Sequence, residues 1–305
     1  MEATKPSPQR LPLLGYSLVL LGALGFSAKA IFIKLAYANS ANLDAISLMA
    51  LRMLFSLPFF LAVACWQRVK SAGSPLSLKQ AGGIISLGLM GYYIASYFDF
   101  LGLQLISAGL ERLILFLYPT FVVMFSALLF KRAINAWVWL SLVLSYSGML
   151  LVFIEQISLQ VSGLFLGSSF VLASALVFSF FIMGSGLMVH DIGSARFTAY
   201  SMTVACIATL LHFVCLHGLN LLDFSPQVYG LSLLMAIFST VLPTFFMNAG
   251  IHRIGAEPAA IISNTGPIAT LGLAYIFLNE AITLVQLSGT LLVLAGVYLV
   301  SRVKS

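Results

Sequence analysis

The chain has 305 residues, of which 61% are hydrophobic and only 8% charged, where a soluble domain carries about 25% charged residues. A mean hydropathy of +1.06 excludes a water-soluble globule and points to a polytopic α-helical membrane protein. The net charge of +6 then marks the cytoplasmic side of a bilayer and does not suggest a nucleic-acid partner.

In chain order, a short polar tail, "MEATKPSPQR", precedes a first apolar run over 13–37. That run is longer than the ~7–15-residue core of a signal peptide and holds Lys29 and Lys34, so it reads as a retained span. The second span, 43–66, carries Arg52 and Pro58. The third, 80–101, ends in "YYIASYFDF", with Tyr93, Tyr97 and Phe100 on one helical face and Asp99 beside them. The fourth, 105–130, opens on "GLERLILFLYPT", an adjacent Glu111 and Arg112 followed by Pro119. Spans over 136–154, 162–188, 195–217 and 227–250 follow, with Trp137 and Trp139 as belt residues and His212 as a lesser proton-carrier candidate. The ninth, 256–278, holds "SNTG" directly before Pro267, and the tenth covers 283–302. Connections are short, and no soluble domain is inserted. Cys65, Cys206 and Cys215 lie in apolar runs without metal-ligand spacing and read as small buried hydrophobes.

With the N-terminus inside, the cytoplasmic segments carry Lys5, Arg10, Arg68, Lys70, Lys79, Lys131, Arg132, Arg196, Arg253, Arg302 and Lys304. The outer loops carry no Lys or Arg and hold Asp44, Glu155, Asp223 and Glu280. So one-sided a distribution sets both termini in the cytoplasm and supports an even number of spans.

Residues 102–152 align without a gap on 250–300, pairing Gly102 with Gly250, Pro119 with Pro267 and Gly148 with Gly296. "ALGFS" at 23–27 echoes "ALVFS" at 175–179. The chain therefore reads as two repeats, 13–154 and 162–302, of five spans each. Five is odd, so the second copy enters the membrane from the opposite face. Inverted repeats are the architecture of secondary transporters, whose halves exchange conformations about a central site.

Two stretches carry a family resemblance: "FLNEAITLVQLSGTLLVLAGVYLV" at 277–300 and "GLQLISAGLERLILFLYPTF" at 102–121. They resemble the EamA family within the drug/metabolite transporter superfamily, and the likeness extends over almost the whole chain. One departure is that Asn279-Glu280 of the second repeat is matched by Lys131-Arg132 in the first. The resemblance implies ten helices around a central cavity, alternating access, a bacterial inner membrane and export, and no particular substrate.

Charges inside spans are costly and are functional candidates by default. Lys29, Arg52, Asp99, Glu111 and Arg112 all map to the outer half of the first repeat, with Lys34 near its outer edge. Glu111 and Arg112 point about 100° apart on a helix and need separate partners. Asp99 is placed to pair Arg112 or Arg52, and Glu111 to pair Lys29. With Lys34 snorkelling to the interface, one cation lacks an internal partner, a place that a substrate carboxylate or phosphate can take. A purely structural salt-bridge cluster is the other reading. Lys29, Arg52, Tyr93, Tyr97, Arg112, Asn264 and Thr265 are the substrate-binding candidates, and Asp99 and Glu111 the proton-coupling ones. Pro119 and Pro267 each free a backbone carbonyl one turn back and are the candidate helix breaks.

These features describe a non-enzymatic carrier of a small polar metabolite, amino-acid-like or otherwise carboxylate-bearing. No cofactor or metal is implied, and its partners are that substrate and membrane lipid. A facilitative uptake carrier or channel-like pore is the alternative. A remote one is an intramembrane hydrolase pairing Ser185 of "GSG" with His212, for which no nucleophile motif is present.

Overall fold

The structure is a computed structural model that describes residues 10–70, 75–130, 136–218 and 224–302. Lys5, Lys131, Arg132, Asp223 and Lys304 lie outside them. Among the described residues all regular structure is helical. We label the helices α1 (Arg10–Ala38), α2 (Ala45–Lys70), α3 (Leu78–Leu105), α4 (Ala108–Leu115 and Tyr118–Phe130), α5 (Ala136–Ser158), α6 (Leu164–Ile192), α7 (Ser194–His217), α8 (Pro226–Ile254), α9 (Ala256–Ser263 and Gly266–Leu278) and α10 (Leu284–Arg302).

Local chemistry starts and stops these helices. Asp44 accepts from the Ser47 amide at the start of α2, and a reciprocal Ser77–Gln80 capping box opens α3. Ser107 accepts from the Leu110 amide to start α4 after the chain breaks at Ile106. Gly193 and Gly255, both at positive φ, end α6 and α8.

Among the described residues eight helices, α1 to α8, are long and apolar enough to cross a membrane. The ninth and tenth positions expected from the sequence hold the broken α9 and the continuous, 19-residue α10. The ninth is interrupted at Asn264 and Thr265 after an eight-residue piece, as the fourth is at Phe116 and Leu117. Large apolar side chains such as Trp66, Leu128, Phe165 and Leu187 stand exposed around the bundle, which suits hydrocarbon and not water. Cys65 and Cys215 share that exposed surface, and only Cys206 is buried, its thiol donating to Met53 Sδ at 3.6 Å. The expectation of three buried cysteines fails for two, because an apolar run in a bilayer faces lipid as readily as core.

The two halves of the chain pack crosswise: α1 lies on α8, α3 on α6, α2 on α7 and α5 on α10. The contacts are alike on both sides. A Cβ on Gly102 would come within 2.9 Å of the Gly167 carbonyl, and one on Gly250 within 3.0 Å of the Gly15 carbonyl. Both would also strike a valine, Val171 and Val19 respectively. Where α5 meets α10, a Cβ on Gly148 or on Gly289 would come within 2.5 or 2.6 Å of the other's carbonyl. Small residues let backbones approach where no water drives association. Each of α3 and α8 also contains a π-helical turn, Leu89–Ile94 and Ile237–Val241, and the two start at the offset that separates Gly102 from Gly250. Such turns are rare and concentrate at functional sites.

A charged cluster between two broken helices

Both α4 and α9 are broken, and broken alike. Eight residues of helix, 108–115 and 256–263, are followed by two non-helical residues and then a second helix with proline at its second position, Pro119 and Pro267. Proline lacks an amide and its ring excludes a helical carbonyl one turn back, so the helix restarts there. The charged residues gather around the first half of α4, at the end of the bundle where Ile106 and Glu280 meet.

Four charged side chains at this site are buried: Arg52 is 4% exposed, Asp99 1%, Glu111 0% and Arg112 7%. Lys29 of α1 donates to Asp99 Oδ2 of α3 at 2.5 Å. Arg112 reaches across to the second repeat, with Nε donating to Thr270 Oγ1 at 3.0 Å. Its Nη2 donates to the Phe26 carbonyl of α1 at 2.6 Å. Glu111 lies against Asp99, yet neither Glu111 oxygen nor Asp99 Oδ1 has a hydrogen-bond donor among the described residues. Arg52 of α2 stacks over the Phe100 ring at 4.8 Å, and its Nε has no acceptor among the described residues. Charged groups buried this deeply are stable only when paired, so Arg52 and Glu111 are the two members whose chemistry is unfinished.

The pairing differs from the sequence expectation. Asp99 takes Lys29, and neither Arg112 nor Arg52. Glu111 takes no cation. Arg112, whose fork matches a hydroxyl and a carbonyl on two other helices, is held by the fold. A sequence records which charges fall within spans but not the direction in which each points, and burial selects among the pairings.

The remaining candidates stand nearby or apart. Lys34 donates to the Ile106 carbonyl at 3.1 Å, so its ammonium serves the α3–α4 break. Tyr93 Oη and His212 Nδ1 lie 2.9 Å apart, and the Tyr97 ring meets His212 edge-on at 5.2 Å. These three form an α3–α7 group of their own. Asn264 is half-buried at the α9 break, while Thr265 is exposed and donates to the Ile262 carbonyl at 2.8 Å. Ser185 donates to the Ile182 carbonyl and His212 is engaged with Tyr93, so the serine–histidine pair of the hydrolase reading is not assembled.

Sequence reading missed three contributors. Thr270 ties the two broken helices together by accepting from Arg112, and Ser27 ties α9 to α1 by donating to the Gly266 carbonyl at 3.0 Å. Glu280, used in the sequence only as a marker of topology, accepts from the Ala108 amide at 3.1 Å, capping α4 from the other repeat. A lone threonine one turn past Pro267, in an otherwise apolar helix, was the available signal for Thr270. The four buried charged side chains of the cluster are closed off from solvent. Two surface cavities, of about 440 and 350 Å³, are lined by 157–166 and by residues around His217, without a member of the cluster.

Comparison with known proteins settles what kind of molecule this is. The model of the EamA-like transporter family matches residues 13–154 and again 165–302. The chain belongs to the EamA-like transporter family. It is thus a multi-pass membrane transporter. An uncharacterized transporter of Bacillus subtilis, YcbK, is 31% identical over 95% of this chain and 93% of its own length. A second, sll1319 of Synechocystis, is 25% identical over 96% and 94%. A solved crystal structure with a TM-score of 0.62 covers 98% of this transporter and all of its own chain. At 16% identity it speaks for the fold alone.

Proposed function

We propose that this protein is a secondary transporter that exports small, polar, carboxylate-bearing metabolites by alternating access. In this reading ten spans in two inverted five-span repeats, 13–154 and 162–302, lie in a bacterial inner membrane with both termini in the cytoplasm. The observation that carries it is Arg52, a guanidinium 4% exposed, stacked on Phe100 and lacking an acceptor for Nε. A buried, always-charged guanidinium whose Nε has no acceptor among the described residues is a place for a planar anion, and a carboxylate fits it in two-toothed fashion. The paired breaks in α4 and α9 support the same reading, because interrupted helices facing each other give two repeats a common, movable centre. Export as the direction follows from the family resemblance.

The test is comparative metabolite profiling of the medium from cells expressing the wild type, Arg52→Gln or neither, at equal membrane levels. The expected result is one or more carboxylates enriched by the wild type and not by Arg52→Gln. Enrichment of only neutral or cationic compounds would overturn the substrate class. Accumulation inside the cells would overturn the direction. Saturable counterflow in vesicles, in place of conductance, separates a carrier from a pore.

A further inference from the structure

Glu111 is the most deeply buried acid of the cluster, at 0% exposure. It lies on the first half of α4, which packs on α3, α6 and α9 as well as on α1 and α5. The charged groups that face it are Asp99 from α3, Arg112 from its own helix and Lys29 from α1. The cations are already engaged, Lys29 with Asp99 Oδ2 and Arg112 with Thr270 and the Phe26 carbonyl. Both Glu111 oxygens and Asp99 Oδ1 lack a donor among the described residues, although the two carboxyl groups are neighbours. Two facing carboxylates in a low-dielectric interior cannot both be ionised. One proton meets the costliest of these demands: one protonated Glu111 oxygen donates to Asp99 Oδ1, the other becomes a neutral carbonyl, and no buried anion is left bare. Lys29 fixes which acid keeps the charge. Its ammonium is on Asp99, so Asp99 is the anion and Glu111 the acid.

We propose that Glu111 and Asp99 form a binding site for a single proton, carried on Glu111 in this closed arrangement, and that this proton couples to transport. When the cluster opens to water, the proton leaves the Glu111 carboxyl for solvent and a carboxylate remains, with Lys29 and Arg112 as the nearest cations. The proton site stands on the geometry of the cluster, whereas its coupling role rests on the transport reading.

The protonation is tested on the full-length chain in lipid, by infrared difference spectroscopy of the carbonyl stretch that only a protonated carboxylic acid shows. At neutral pH the wild type is expected to show this band, Glu111→Gln to lose it and Glu155→Gln to keep it. A wild type without the band, or a band untouched by Glu111→Gln, would overturn the site. Loss of the band in Asp99→Asn alone would move the proton to Asp99 and overturn its assignment to Glu111. Glutamine is the neutral isostere of the protonated acid, so Glu111→Gln is expected to unfold at the wild-type temperature. A fall as large as that of Lys29→Met would show that Glu111 serves as an anion, against the proposal. For coupling, export by the wild type is expected to change with external pH and export by Glu111→Gln to be insensitive to it. Equal pH dependence in both would end the coupling role while leaving transport intact. Absent export would instead count against the transport reading, with the infrared result still deciding the proton site.

Discussion

The break in α4 and the break in α9 share one backbone design and carry opposite chemistry. Each has an eight-residue half-helix, a two-residue interruption and a proline at the second position of the following helix. At the sequence offset that matches Pro119 to Pro267, however, Glu111 and Arg112 face Ala259 and Ala260. The fold needs only the glycines, prolines and apolar faces, so it repeats. The charges are needed once, at one end of one repeat, where Lys29, Arg52 and Asp99 are placed to meet them. The repeated backbone has thus kept its breaks in both halves and placed its polar chemistry on a single side.

The comparison is broken most severely at Lys29. Lys29→Met leaves Asp99 buried without its paired cation, and loss of one partner of a buried pair costs about 3–5 kcal/mol. The expected outcome is a marked drop in the unfolding temperature of the detergent-solubilised chain and no export. A second substitution sharpens the contrast by moving an acid to the other break. Ala259 is 2% exposed, and Ala259→Glu brings a carboxyl there without a lysine to receive it. A cost of about 2.5–3.5 kcal/mol is expected, read as poor membrane insertion or lowered thermal stability. The symmetric part is probed by Gly102→Ala and Gly250→Ala, each pushing a methyl group against a carbonyl and a valine. Both are expected to cost about 1–3 kcal/mol and, more tellingly, to cost the same, as unfolding temperatures measured side by side would show. The smallest effect is expected from Thr270→Val, which removes one acceptor from Arg112 and costs about 1 kcal/mol. Its sign is checked by a modest fall in stability with export retained.

The sequence made the helical membrane class legible through composition, and the family through the 102–121 and 277–300 stretches. The break that Asn264 and Thr265 open inside the ninth span was not legible in hydropathy, which averages across it. Within the site, charges inside spans were easy to see since they are few against an apolar background. Their partners were not, because pairing depends on how each helix is rotated about its axis. The π-helical turns in α3 and α8, which have no sequence signature, alter that rotation by local overinsertion of a residue. Lys29 thus met Asp99, and Arg112 met Thr270 and a main-chain carbonyl. Glu280, in the first loop beyond α9, caps α4 across 172 residues of sequence, a distance no local pattern reports.

The most direct measurement of the central claim, that Arg52 receives a carboxylate, is the thermal unfolding of the purified wild type and of Arg52→Gln against a panel of carboxylates and their neutral amides. A ligand that binds the folded state raises its stability by mass action. The expected result is that one or more carboxylates raise the unfolding temperature of the wild type, that their amides do not, and that Arg52→Gln responds to neither. Equal shifts in the two proteins, or shifts by the amides alone, would contradict it and return Arg52 to a packing role beside Phe100.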